Sequence, residues 1–189
     1  MDQFDNSLDE CVKVIESLRP MSRKLSVAAE MCLKSLTGGG KLLICGNGGS
    51  SAEAQHLTGE LVGRYKENRD PLAAVTLSAD VAVLTCIGND YSYEDIFSRQ
   101  VQALGRQEDL LIVFTTSGRS PNVLKALEAA KKLKIESIAF LGKDGGLAAS
   151  LADCALIVGH HDTARIQEGH QFLMHSLMDQ IEAGLKRRV

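Results

Sequence analysis

Five short stretches of the chain, residues 41–45, 73–77, 110–115, 137–141 and 155–158, are apolar almost throughout and do not alternate with polar residues. A strand with one solvated face alternates. A strand that is apolar on every residue is covered on both faces, which is the habit of parallel sheets with helices packed above and below. Parallel neighbours need a crossover connection, usually a helix. Helix-patterned segments at 50–64, 95–104 and 121–133 separate the runs, the last with Ser120 and Pro121 placed as N-cap and first helical residue. A final helical pattern covers 164–188, with Ile166, Phe172, Leu173, Leu177 and Ile181 as its apolar positions. The reading is an α/β fold: a three-layer, doubly wound, flavodoxin-like sheet of about five parallel strands.

The first 37 residues are helical in pattern. Val12, Ile15 and Leu18, then Leu25, Ala28, Cys32 and Leu36, recur at helical spacing, and Pro20 divides them into two helices or one kinked one. Gly38, Gly39 and Gly40 end the pattern. With 189 residues, the chain reads as one domain: a helical segment over 1–37 and an α/β core with its C-terminal helix over 38–189. A content of 44% hydrophobic and 24% charged residues excludes disorder, and a net charge of −3 argues against a charge-driven nucleic-acid binder. The five cysteines (11, 32, 45, 86 and 154) are odd in number and include no C-x-x-C pair, so free thiols in a reducing cytoplasm are expected. The acidic start leads us to expect no secretory leader, and no apolar run approaches the roughly 18 residues of a membrane span. Lys186, Arg187 and Arg188 read as a solvated helix end.

In a doubly wound sheet, ligands bind beyond the carboxyl ends of the strands. The loop after the first strand reads Cys45-Gly-Asn-Gly-Gly-Ser-Ser. Ser51 stands where G-x-G-x-x-G needs its last glycine, and no G-K-[ST] follows, so neither nucleotide fingerprint fits. An anion or sugar-hydroxyl cradle at a helix N-terminus, or a simple tight turn, both suit it. The loop after the third strand, Thr115-Thr116-Ser117-Gly118-Arg119-Ser120, carries four hydroxyls in six residues at the start of a helix. That suits a phosphate monoester.

His56 and Glu60 are four apart on one helical face, a surface pair or an acid–base pair. Gln167 and His175 are eight apart, about 12 Å of helical rise. Either Gln167 precedes the regular helix, or the two serve sites on different subunits. His170 reads as packing or surface, and His160 and His161 as surface.

The G-N-G-G-S and T-S-G-x-S loops resemble those of the sugar isomerase (SIS) domain family. Five further stretches resemble its bacterial isomerases of heptose phosphates: A-Q-H-x-x-x-E-x-x-x-R from Ala54, I-G-N-D-Y from Ile87, F-S-R-Q-V from Phe97, G-K-D-G-G from Gly142 and R-I-Q-E-x-H-x-x-x-x-H from Arg165. The resemblance implies conversion of sedoheptulose 7-phosphate to D-glycero-D-manno-heptose 7-phosphate through an enediol or enediolate, supplying heptose for lipopolysaccharide core or another surface glycan. It implies Glu60 and His175 as catalytic groups. Substrate contacts would come from Asn47, Gly48, Gly49, Ser50, Glu60, Arg64, Asn89, Asp90, Thr115, Thr116, Ser117, Ser120 and Gln167. Zinc would be held by His56, Glu60, Gln167 and His175. An acidic residue found in some members is Ala164 here, with Asp162 nearby. The long apolar sides of the first and last helices lead us to expect a homotetramer with sites at subunit boundaries, without nucleic acid or membrane. The alternative is a non-catalytic SIS-domain protein that associates with a replication initiator; such proteins lack the acid–base pair.

Overall fold

The structure, a computed structural model, describes residues 2–187. Helix α1 (Gln3–Ser17) and helix α2 (Ser22–Thr37) are joined by a 3-10 turn, Arg19–Met21, that contains Pro20, so the proline separates two helices. The strands are β1 (Leu42–Gly46), β2 (Ala74–Thr76), β3 (Leu110–Thr115), β4 (Glu136–Gly142) and β5 (Cys154–Val158). All pair in parallel, in the order β2-β1-β3-β4-β5. The order reverses at β1, so the loops after β1 and β3 flank the crevice where such sheets bind ligands.

Two cores explain the continuous apolar runs. On one face Leu42, Ile44, Ile112, Phe114, Ile138 and Phe140 pack under α1, α2, helix α3 (Gly49–Val62) and helix α8 (Thr163–Lys186). On the other, Leu43, Cys45, Leu111, Val113, Ala139 and Leu141 pack under helix α4 (Val81–Asp90), helix α5 (Ser98–Leu104), helix α6 (Pro121–Lys132) and the short helix α7 (Ala148–Leu151). Successive strand residues point to opposite faces, and here both faces are dry.

The sequence pattern misses α4 and α7. Residues 81–87 of α4 are nearly all apolar, so they show no polar face for a helical period to mark, and Val81 is 69% exposed. The expected helix at 95–104 begins at Ser98, after a 3-10 turn at Tyr93–Asp95. The expected helix over 164–188 runs Thr163–Lys186; Arg188 lies outside the described residues.

Candidate active site

Three helix N-termini converge on one cavity of about 150 Å³ beyond the ends of β1 and β3. Gly49 and Ser50 of α3, Ser120 before α6 and Thr163 of α8 line it, with Asn47, Thr115, Thr116 and Gln167. Each terminus offers main-chain N–H groups without helical partners and the positive end of a helix dipole. Ser120 caps α6 by position, yet its side chain makes no capping hydrogen bond. Together these groups form an anion cradle without a lysine or arginine.

The cradle is held by its own loops. Asn47 and Asn122 exchange reciprocal amide hydrogen bonds, each 2.9 Å, and the Tyr93 hydroxyl donates to Asn47 Oδ1 at 3.0 Å. Thr115 Oγ1 accepts from the Gly118 N–H at 3.2 Å. Gly118 has φ +62°, and a Cβ there would collide with the Gly145 carbonyl, so only glycine lets the loops after β3 and β4 close on one another. Arg119 locks the two loops from outside, donating to Asp144 Oδ1 at 2.9 Å and Oδ2 at 2.7 Å. The guanidinium and the Gly146 N–H hold the Asp144 carboxyl well below the usual carboxylate range. Ser117 departs from expectation: its Oγ accepts from the Arg119 N–H at 3.2 Å and does not line the cavity.

A second, open cavity of about 610 Å³ adjoins the first, sharing Gly49 and Gln167 and adding Glu53, His56, Ala164 and Gln171. At its edge, atoms of His56, Glu60 and His175 that could ligate a metal lie within 4.8 Å of one another. His56 Nε2 meets Glu60 Oε1 at 3.0 Å, and the His56 and His175 rings stand edge to face with centroids 5.1 Å apart. Tyr65 stacks on His175 with ring centroids 5.8 Å apart.

Of the two alternatives for this spacing, the one in which Gln167 precedes the regular helix is excluded: Gln167 and His175 both lie within α8. Gln167, Gln171 and His175 follow at four-residue steps, one row on one helical face. That row runs along α3, with Gln167 against Gly49 and Gln171 Nε2 2.9 Å from His56 Nδ1. A Cβ at Gly49 would overlap the Gln167 amide. The row thus places Gln167 beside the start of α3 and His175 beside His56, two turns further along.

Other expected contacts lie elsewhere. Arg64 is exposed beyond the end of α3 and makes no ion pair among the described residues. Asn89 and Asp90 end α4 on its exposed side, joined by an Asn89 Nδ2 to Asp90 Oδ1 bond of 2.8 Å, and line neither cavity. Asp162 accepts from the Ala164 N–H at 2.7 Å as N-cap of α8, so its carboxylate closes a helix end rather than replacing an acid at 164. His160 Nδ1 accepts from the Asp162 N–H at 3.1 Å, and His161 is exposed.

Sequence reasoning missed Gln171, Asn122, Tyr93, Arg69 and Glu53. Their partners lie on other elements, at separations no local pattern reports. Glu53, 4% exposed, faces His170, fully buried, with Oε2 and Nδ1 3.6 Å apart; packing, not surface, is therefore the place of His170.

Known proteins resemble this chain over most of its length. A profile of the SIS domain matches residues 4–142. The chain is 51% identical to the phosphoheptose isomerase of Helicobacter pylori strain P12 over 90% of this chain and 87% of that one. Among solved structures it is similar to phosphoheptose isomerase from Neisseria gonorrhoeae (TM-score 0.91, 40% identity, 96% of this chain and 97% of that one). It is also similar to the enzyme from Francisella tularensis (TM-score 0.87, 39% identity, 95% and 94%). The chain thus belongs to the SIS domain family and, within it, to the phosphoheptose isomerases.

Proposed function

We propose that this chain interconverts sedoheptulose 7-phosphate and D-glycero-D-manno-heptose 7-phosphate. One observation carries the proposal: a cradle of three helix N-termini and free hydroxyls adjoins a cluster of one carboxylate and two imidazoles. An aldose–ketose shift moves a proton between C1 and C2 through an enediol or enediolate, and it needs one group at carbon and one at the oxygens. The cradle binds the phosphate at the far end of the substrate and directs the carbonyl end along the α3–α8 row. Glu60 takes and returns the proton at carbon. His175 serves the carbonyl and hydroxyl oxygens. The presence of both disfavours the non-catalytic, initiator-associating alternative. Incubation with sedoheptulose 7-phosphate, followed by NMR, should show the aldose accumulating to a fixed ratio; no conversion would refute the proposal.

Zinc fits the donor set. Two imidazoles and a carboxylate are ordinary zinc ligands, and their atoms are close enough to meet one ion after small side-chain movements. His56, Glu60 and His175 would hold it; Gln167, the fourth expected ligand, lies two turns along α8 against Gly49. Bound there, the metal would polarise the substrate oxygens and stabilise enediolate charge. Removal by a strong chelator should lower activity reversibly, because the two apolar cores do not depend on metal; full activity after complete removal would refute a catalytic metal.

The protein is a homotetramer in this reading. Phe4, Leu8 and Val12 form an exposed apolar row on α1, and Phe172 is exposed on α8. A neighbouring chain could bring Arg64, Asn89 and Asp90 to the site. Light scattering that shows a fully active monomer would refute this. The free cysteines suit the cytoplasm, and no described helix is long and apolar enough to cross a membrane. The product would supply heptose for lipopolysaccharide core or another surface glycan.

A further inference from the structure

His56 is contacted from both sides. Its Nε2 stands 3.0 Å from Glu60 Oε1, and its Nδ1 stands 2.9 Å from Gln171 Nε2. An amide nitrogen has only hydrogens to offer. Nδ1 therefore accepts, and the ring proton sits on Nε2, directed at Glu60. An imidazole in that tautomer has no lone pair on Nε2 to give a metal. The other end of the same amide, Gln171 Oε1, is buried and has no hydrogen-bond partner among the described residues. A buried amide oxygen left unpaired is costly, so the site holds an unmet acceptor beside the ring.

Turning the Gln171 amide about its last bond gives that oxygen a partner on the ring and moves the amide nitrogen into the place the oxygen held. Oε1 then accepts a proton carried on Nδ1, and the Nε2 lone pair is freed toward Glu60. The ring loses one proton at Nε2 and gains one at Nδ1, so its charge does not change. We propose that Gln171 is a positioning residue that sets the tautomer of His56. With its nitrogen toward the ring it holds a metal-free His56–Glu60 pair; with its oxygen toward the ring it prepares His56 as a metal ligand. Metal-bound histidines are commonly fixed by an acceptor on their second nitrogen, and Gln171 offers both an acceptor and a donor at one position. The ligand half of this proposal rests on the zinc reading above.

The experiment combines nitrogen NMR of labelled histidines with zinc titration against a competing chromophoric chelator, in the wild type, Gln171→Leu and Gln171→Glu. The wild type should carry the His56 proton on Nε2 without zinc and on Nδ1 with it. Gln171→Leu should bind zinc about 10- to 100-fold more weakly. Gln171→Glu, which only accepts, should place the proton on Nδ1 even without zinc and restore the affinity. Equal zinc affinity in the wild type and Gln171→Leu would overturn the proposal. A wild type that takes up no zinc would overturn the zinc reading and the ligand half together. The metal-free tautomer judges Gln171 separately: a proton that stays on Nε2 in both variants overturns its role.

Discussion

The Arg69 guanidinium donates to the main-chain carbonyl of Glu60 at 2.6 Å and to that of Leu61 at 2.9 Å, while its Nε reaches Glu182 Oε1 at 3.1 Å. The last turn of α3, which carries the proposed base, is thus closed by a side chain from the following loop and tied to α8. Lysine cannot reproduce that fork. Arg69→Lys should lower kcat more than it raises KM and should cost about 1–3 kcal/mol of stability. Steady-state kinetics beside a denaturant titration would check it, and an unchanged kcat would count against the role.

Glu60→Gln and His175→Gln should each reduce turnover by about 10²–10⁴-fold with the fold intact. Groups that act as a unit are not additive, so the double variant should fall little below the worse single one. Either single variant retaining more than about a tenth of wild-type turnover would remove that residue from the mechanism.

Ser120→Ala should act on binding. Its hydroxyl faces the cradle uncommitted, and a hydrogen bond to a charged group is worth about 1.5–3 kcal/mol, roughly ten- to a hundred-fold in KM. Ser117→Ala should be milder, because that hydroxyl supports the loop through the Arg119 N–H. Inorganic phosphate should compete with substrate. Equal effects of the two variants would contradict this division.

Asp144→Asn should raise KM by loosening the closure of the two loops. The Asp144 carboxyl is held down by Arg119, so its stabilising contribution is complete above its unfolded value of about 3.9 and is lost only as pH falls through its still lower folded value. The ratio of variant to wild-type KM should therefore be flat from about pH 5.5 to about pH 8. A ratio that changes across that range would place another titrating group in control.

Glu53 and His170 face one another in the interior, and neither carboxylate oxygen nor either ring nitrogen has a hydrogen-bond partner among the described residues. Removing one partner of a buried pair leaves the other uncompensated, at a cost of about 3–5 kcal/mol. Glu53→Leu should show a loss of that size by chemical denaturation, and the double variant Glu53→Leu with His170→Phe should recover part of it. No recovery would mean that the two residues act independently.

Much of this protein could be read from local pattern. The apolar runs mark β1 to β5 because burial on both faces leaves a continuous hydrophobic signature, and Pro20 and Gly38 to Gly40 mark the limits of the first two helices. The hydroxyl loop at Thr115 to Ser120 and the His56–Glu60 step are equally local, since a loop composition and an i, i+4 spacing need no tertiary information. Helix α4 escaped because an apolar helix has no polar face to reveal its period.

Which distant residues meet was settled only by tertiary packing. Residues 167 and 175 lie two turns apart on α8, and α8 alone does not say what each one meets. Packed alongside α3, that helix lays Gln167, Gln171 and His175 against Gly49 and His56 in turn, so one row borders both the cavity at the helix N-termini and the His56–Glu60–His175 cluster. Chain order dictated the period of each helix and hence which residues share a face. The contact between faces depends on how two buried helices settle on one sheet, and that is a property of the whole core.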